Sequence, residues 1–138
     1  RYIFKHTGAE GKKLMGYPAE VEWDDAALAS DTMFRTKGMR LIEAIDMALG
    51  FLGPDLSPLE KTMVDLGRRH FHMNCQPAHW PLVGEALFEV FRESMGKDGS
   101  YFTPDVEEAW TVIYNFLGYY MIVGLNAEKA RVALSSAK

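Results

Sequence analysis

Two nitrogen-bearing side chains fall on helical stripes that are otherwise apolar. His70 belongs to a set of residues spaced three and four apart: Leu59, Met63, Leu66, His70 and Met73. Lys37 belongs to a second set with the same spacing: Phe34, Lys37, Leu41, Ile45, Ala48 and Leu52. Residues at these steps share one helix face. Both side chains are therefore predicted to point inward among aliphatic and aromatic neighbours.

These two side chains together suggest a cofactor pocket. Apolar walls with a few convergent polar groups are typical of a cofactor site, and an imidazole is the usual axial ligand of a flat hydrophobic cofactor with a central metal. Taken singly, each residue has a simpler interpretation. His70 fits a hydrogen-bonded core histidine, and Lys37 fits a side chain whose stem packs while its ammonium reaches the surface. The pair favours the cofactor pocket.

Other candidate sites are weaker. His70, His72, Cys75 and His79 lie close in sequence, as zinc ligands often do. However, His70 and His72 are two apart on a helix and point roughly 200° apart, and no Cys-x-x-Cys motif accompanies Cys75. We predict no zinc site. No Ser, His and Asp set forms an acyl-transfer motif, so no catalytic residue is predicted.

Composition narrows the class of protein. The 138 residues carry 15 Lys and Arg against 19 Asp and Glu, a net charge of −4 without a basic block. This argues against nucleic acid or an anionic membrane as the main partner. A single cysteine cannot form an intrachain disulfide, and no apolar run is long enough to span a bilayer. We expect one globular domain over residues 1–138 in the cytoplasm.

The apolar periodicity is helical almost throughout and predicts an all-α fold. The third, fourth and sixth predicted helices have clear N-terminal signals at Asp31, Ser57-Pro58-Leu59-Glu60 and Thr103-Pro104-Asp105. A polar loop is predicted from Ala19 to Ser30, including Val21 and Trp23. The first four predicted helices run from Arg1 to about Thr7, Glu10 to Met15, Asp31 to about Leu49 and Ser57 to about Phe71. The fifth begins around Pro77 to Trp80 and ends at Gly96. The periodicity of the sixth continues from Thr103 to Leu125, and a more polar continuation extends it to Ser135 if it is helical.

Three separated motifs resemble the globin superfamily, in particular neuroglobins and bacterial single-domain haemoglobins. They are Leu66-Gly67-Arg68-Arg69-His70, Pro77-Ala78-His79-Trp80-Pro81-Leu82-Val83-Gly84-Glu85-Ala86-Leu87 and Phe102-Thr103-Pro104-Asp105-Val106-Glu107-Glu108-Ala109-Trp110. The resemblance is strongest from Phe34 to Leu125. It implies the globin fold, a 3-over-3 helical sandwich, with haem b (iron protoporphyrin IX) as cofactor. The family's first helix and about half of its second are not represented, so we expect a leading segment before Arg1. The alternative is that the long last helix, from Pro104 onward, docks where the missing helix would lie.

The resemblance also implies roles for individual residues. His70 corresponds to the proximal haem ligand, and Lys37 stands where the family usually has a distal histidine or glutamine. Trp80 replaces a tyrosine that supports redox chemistry in flavohaemoglobins. Met15 replaces a nearly invariant phenylalanine. The remaining implied haem contacts are Leu41 on the haem face, Arg40 and Tyr17 at the propionate edge, and Phe34, Leu66 and Trp80 along the pocket.

By this resemblance the chain reversibly binds oxygen, carbon monoxide or nitric oxide, which suits oxygen storage or transport. Lys37 leaves two options: a protonated side chain that swings outward, or a neutral amine that ligates ferric iron. One alternative is nitric oxide dioxygenation, which needs a separate reductase because 138 residues leave no room for a flavin domain. Another is a gas or redox sensor domain of a larger protein. A helical module that binds a fatty acid or a tetrapyrrole fragment would not need His70.

Overall fold

The computed structural model describes residues 2–20, 22, 24–95 and 101–137, with residues 2–7 described by their backbone alone. All secondary structure in these ranges is helical, which confirms the predicted all-α class. The chain divides into two compact units, Arg1–Leu59 and Glu60–Lys138. The predicted helix end at Gly96 and the loop placement of Val21 and Trp23 lie outside the described residues. The helices are α1 (Tyr2–Leu14), α2 (Asp25–Ser30), α3 (Thr32–Gly50), α4 (Ser57–His72), α5 (His79–Ser94) and α6 (Pro104–Ser136).

Glycines interrupt and end α1 where the sequence predicts. Gly8 has φ 54° and ψ −133°, a conformation that favours glycine, and it kinks α1 between the two predicted helical segments. Gly16 has φ 77° and begins the chain reversal after the helix. The amide of Tyr17 donates to the Lys12 carbonyl at 2.8 Å, and the amide of Gly16 donates to the Lys13 carbonyl at 2.9 Å. This pair of bonds is a Schellman motif.

The prediction of a loop from Ala19 to Ser30 is wrong over its second half, because residues Asp25–Ser30 form α2. Asp24 caps this helix by accepting a hydrogen bond from the Ala27 amide at 2.7 Å. Only six residues are helical, too few for a periodic apolar pattern to show. The helix is therefore defined by its caps, not by a stripe.

Asp31 joins α2 to α3. Its backbone amide donates to the carbonyls of Ala27 and Leu28 at the end of α2. Its carboxylate accepts from the Phe34 amide at 2.7 Å and so caps α3, as predicted. Asp31 is therefore both the C-cap of α2 and the N-cap of α3, and it fixes the residue at which α3 begins.

The stripe predicted on α3 is buried only in part. Ala48 is 2% exposed, whereas Leu41 and Leu52 are 40% and 44% exposed. Lys37 is half-buried, as are Phe34 and Ile45. The prediction that the whole stripe is buried is therefore wrong at Leu41 and Leu52. Periodicity identifies side chains that share a helix face, but it does not show whether another element covers that face.

The stripe predicted on α4 is buried from its beginning to its middle. Leu59 and Met63 are 0% and 2% exposed, and the next two positions, Leu66 and His70, are half-buried. Met73 is exposed because α4 ends at His72 and Met73 no longer shares its face. The hydrophobic face of α4 therefore runs from Leu59 to His70.

Local capping at the start of α4 differs in detail from the predicted capping box. The amide of Ser57 donates to the Asp55 carboxylate at 3.0 Å. The Glu60 carboxylate accepts a hydrogen bond from the Tyr120 hydroxyl on α6. Glu60 thus ties α4 to α6. At the start of α6, Thr103 caps the helix as predicted, accepting from the Val106 amide at 3.4 Å.

Glycines let α4 and α6 cross with their backbones in contact. A Cβ added to Gly67 would lie 2.0 Å from the Met121 carbonyl oxygen. A Cβ added to Gly124 would lie 2.0 Å from the Val64 carbonyl oxygen. Because a side chain at either position would collide with backbone, both glycines are required for this crossing.

Candidate functional site

The His70 imidazole is fixed in one tautomer. Its Nδ1–H donates to the Leu66 carbonyl oxygen, one turn earlier on α4, at 2.9 Å. The other ring nitrogen, Nε2, makes no hydrogen bond to the described residues. The ring is half-buried. An imidazole held in this way presents a lone pair on Nε2, which is the form that binds a metal.

The backbone at His70 is also held, because α4 ends in a Schellman motif. The Cys75 amide donates to the His70 carbonyl at 3.1 Å, and the Asn74 amide donates to the Phe71 carbonyl at 3.0 Å. Asn74 takes the left-handed conformation that the motif requires, with φ 60°. His70 is therefore held both through its ring and through its carbonyl.

Trp80 connects His70 to α6. Its indole meets the His70 ring edge-on, with 6.4 Å between the ring centroids. The indole also stacks on the Tyr114 ring, with 5.8 Å between the centroids. The Tyr114 hydroxyl donates to the Trp80 carbonyl at 2.7 Å, and burial raises the pKa of Tyr114, which keeps this donor protonated. The Trp80 Nε1 is buried against Gly118 and has no hydrogen-bond partner among the described residues.

His70, Leu66 and Trp80 fit the proximal side of a haem. A metal-bound histidine characteristically donates its second ring N–H to a backbone carbonyl, as His70 does to Leu66. Among the described residues, no group of three or more His, Cys, Asp or Glu side chains could hold a metal ion. Burial also raises the pKa of the Cys75 thiol, which disfavours a thiolate ligand. A lone imidazole suits a metal whose cofactor brings the other ligands.

The first unit gathers three of the predicted haem contacts into one small core. Tyr17 and Leu28 are 4% and 3% exposed, with Met15 and Phe34 packed against them. The Tyr17 hydroxyl donates to the Asp31 carboxylate. Burial and this bond to Asp31 raise the pKa of Tyr17 to about 12. The structure thus gives Tyr17 a bond to a helix cap, and its contact with a haem propionate stays a prediction.

The predicted distal residues lie on α3. Lys37 is half-buried and Leu41, one turn later, is 40% exposed. Arg40 is exposed. Four-residue spacing places Lys37 and Leu41 on the same helix face. Their contacts with a cofactor, and that of Arg40, stay predictions.

One polar network was not predicted from the sequence. The His72 Nε2–H donates to the Glu128 carboxylate on α6 at 2.8 Å. Arg131 donates to both oxygens of the same carboxylate, at 2.9 and 2.6 Å. The bonds from Arg131 and His72 lower the pKa of Glu128 to about 2. The Glu128 and Arg131 spacing hints at a helical ion pair, but nothing in the sequence connects either residue to His72.

Three curated relatives match part of this chain. A flavohemoprotein of Vibrio cholerae is 38% identical over 68 residues, covering 49% of this chain and 16% of the relative. Neuroglobins of Tetraodon nigroviridis and Danio rerio are each 30% identical, over 76 and 78 residues, covering 55% and 56% of this chain. These matches span 45% and 46% of the two neuroglobins, so the chain matches less than half the length of each relative.

No solved structure matches the chain. None of the helices in the described ranges is long and apolar enough to cross a membrane. The family model described as Globin matches residues 17–121, which is more than half of the chain. This match includes His70, Leu66 and Trp80, the residues whose geometry fits a haem ligand and its surroundings. The chain therefore belongs to the globin family, whose members bind haem and diatomic gases.

Proposed function

We propose that this protein is a haem-binding globin that reversibly binds oxygen, or another diatomic ligand, with His70 as the proximal ligand. The observation that carries the proposal is the His70 ring, whose Nδ1–H is bonded to the Leu66 carbonyl at 2.9 Å while Nε2 is left for a metal. When bound, the haem supplies the iron centre at which the gas coordinates. His70 would hold that iron, with the Leu66 carbonyl orienting its ring and the Trp80 indole packed edge-on against it.

The cofactor in this proposal is haem b, held without a covalent bond. Covalent attachment of a c-type haem uses a Cys-x-x-Cys-His motif. This chain has one cysteine, Cys75, so it cannot form that motif. His70 and the apolar residues around it would then hold the haem without a covalent link. A single globin domain over residues 1–138 is part of the same proposal, and the family match across residues 17–121 supports it.

The visible absorption spectrum tests the proposal. Wild-type protein reconstituted with haemin is expected to give haem spectra when oxidised, when reduced, and when reduced under carbon monoxide. His70→Ala should lose the imidazole-bound ferrous spectrum. His79→Ala is a matched control, because it removes an imidazole whose Nδ1 lone pair is already used in accepting a hydrogen bond from the Gln76 amide at 3.1 Å. A wild-type chain that does not bind haemin, or His70→Ala spectra equal to wild type, would contradict the proposal.

Lys37 is proposed to act at the distal side, on the support of its place in the sequence match. Its amine either ligates ferric iron or turns to solvent and leaves an apolar face. Spectra of the ferric protein across a range of pH, compared with Lys37→Ala, distinguish these roles. Loss of low-spin character in Lys37→Ala, with no change in a Lys61→Ala control, indicates ligation. Identical spectra in wild type and Lys37→Ala remove the lysine from the iron.

A second candidate function is nitric oxide dioxygenation with a separate reductase. The flavohemoprotein match favours it, although the match covers only 16% of that relative. Trp80 argues against a strongly activated iron, because the flavohaemoglobins to which the sequence is similar have a tyrosine there. Consumption of nitric oxide by the oxygenated protein with a supplied reductant tests this activity. Absence of turnover leaves oxygen binding as the proposed function.

A further inference from the structure

Glu128 is a charged residue buried on the longest helix. It is 7% exposed, and both of its carboxylate oxygens are engaged, one with His72 and both with Arg131. Charged side chains are rarely this buried unless they are paired. Arg131 lies three residues later on the same helix and balances the charge. The His72 Nε2–H adds a third hydrogen bond to the same carboxylate.

The partner of Glu128 is the last residue of α4. His72 lies two residues after His70, in the turn that the Schellman motif closes. Earlier parts of α4 are attached to α6 by other contacts: the Glu60 bond to Tyr120 and the backbone crossing at Gly67 and Gly124. Beyond that crossing, the bond between His72 and Glu128 attaches the end of the helix that carries His70.

We propose that Glu128 is a positioning residue, which holds the last turn of α4 against α6 through His72 and thereby sets the position of the His70 imidazole. The part of this inference that concerns iron rests on the proposed function. Without the bond, the nearest attachment of this turn to α6 is the crossing at Gly67, and the turn opens more readily because helix ends fray first. Arg131 keeps the Glu128 carboxylate oriented toward His72.

A set of substitutions tests this role by two measurements. Glu128→Leu and His72→Leu remove the bond, whereas His72→Gln retains an N–H donor in place of the imidazole Nε2. Glu107→Leu is the matched control, because it removes an ion pair between α5 and α6 that does not involve α4. The first measurement is amide hydrogen exchange at residues 73–75 in the chain as purified. The second is the iron–histidine stretching band in resonance Raman spectra of the ferrous, haem-loaded protein.

Both Leu variants are expected to speed exchange at residues 73–75 severalfold and to shift the iron–histidine band. His72→Gln and Glu107→Leu should leave both readings at wild-type values. The double variant of His72 and Glu128 should match either single variant, because both remove the same interaction. If one Leu variant does not fold, the other together with His72→Gln still provides the comparison.

Unchanged exchange in the Leu variants overturns the proposal. Faster exchange with an unchanged iron–histidine band also overturns it, because Glu128 would then stabilise the helix without positioning the ligand. A wild-type protein that binds no haem contradicts the proposed function instead. In that case the exchange measurement alone decides whether Glu128 holds the last turn of α4.

Discussion

His70 and Tyr17 each commit one polar hydrogen to a hydrogen bond within the chain. The bond from His70 to the Leu66 carbonyl uses Nδ1 and leaves Nε2 for a metal. The bond from Tyr17 to Asp31 uses the hydroxyl proton and places the hydroxyl at the cap of α3. Both residues were expected at a haem from sequence similarity. His70 donates to a backbone carbonyl and Tyr17 donates to the cap of α3, and their contacts with a haem stay predictions.

The raised pKa of Tyr17 predicts a loss of stability in alkali. Its pKa is about 12 in the folded chain, against 10.0 for an ordinary tyrosine. The stabilisation is therefore fully present below pH 10 and is lost as the pH rises through about 12. Free energies of unfolding across this interval should fall more steeply for wild type than for Tyr17→Phe. Equal slopes would show that the bond to Asp31 does not favour the protonated tyrosine.

The lowered pKa of Glu128 predicts the opposite behaviour in acid. Its pKa falls from an ordinary 4.5 to about 2, because Arg131 and His72 bind the carboxylate. The stabilisation is present above pH 4.5 and is lost as the pH falls toward 2. The difference in unfolding free energy between wild type and Glu128→Gln should shrink over this interval. A difference independent of pH would mean that the network does not stabilise the charged carboxylate.

At the scale of elements, α4 is held by contacts of different kinds along its length. Its first turn is attached by Glu60, its middle by the glycine crossing with α6, and its end by His72 and the Schellman motif. The crossing provides close backbone approach, whereas the two ends depend on polar bonds. We therefore expect substitutions in the middle to affect global stability, and those at the end to affect the turn that carries His70.

Gly67→Ala is expected to destabilise the fold. The added methyl would lie 2.0 Å from the Met121 carbonyl oxygen, and a backbone atom cannot move aside without separating the helices. A cost of about 1–3 kcal/mol is typical of such overpacking. Gly38→Ala on α3 is the control, because a Cβ there meets no atom within 4 Å among the described residues. It should stabilise by up to about 1 kcal/mol through helix propensity. Denaturant unfolding measures both.

Substitutions at Asn74 test whether the left-handed turn stabilises the end of α4. Its φ of 60° is a left-handed conformation that glycine adopts freely and alanine does not. Asn74→Ala should lower the unfolding free energy by about 1 kcal/mol, while Asn74→Gly should leave it near the wild-type value. Denaturant unfolding of the two variants provides the comparison. If alanine is tolerated as well as glycine, the left-handed turn is not needed to end the helix.

At the scale of the whole molecule, haem binding should stabilise the fold through His70. A ligand that binds only the folded chain adds about 2.7 kcal/mol when its free concentration is 100 times its dissociation constant. Thermal unfolding with and without haemin should therefore show a higher midpoint in wild type. His70→Ala should show a much smaller increase, and His79→Ala should behave as wild type. An equal increase in all three proteins would place haemin binding elsewhere.

Much of the helical organisation was predictable because helix ends are marked locally. Asp31 and Thr103 cap the helices that they were expected to cap, and Gly8 and Gly16 interrupt or end α1 as expected. The one new helix, α2, was missed because six residues cannot display a periodic pattern. The N-cap residue of α2, Asp24, was the one sequence feature that could have indicated where this helix begins.

The candidate site was predictable in part, and for a different reason. Similarity of sequence identified His70, Leu66 and Trp80, which do lie together in the second unit. It did not identify the partner of Tyr17 or the exposure of Leu41. A periodic pattern and a family motif carry no information about which polar group a given side chain meets.

Local sequence signals were enough to predict most of the helices, the caps at Asp31 and Thr103 and the family, because these depend on neighbours within a few residues or on motifs read directly. Only the tertiary structure decided that His72 meets Glu128 and that Gly67 meets the Met121 backbone. These pairs are separated by more than fifty residues in the chain. Their contacts result from how α4 packs on α6, which the order of residues does not state.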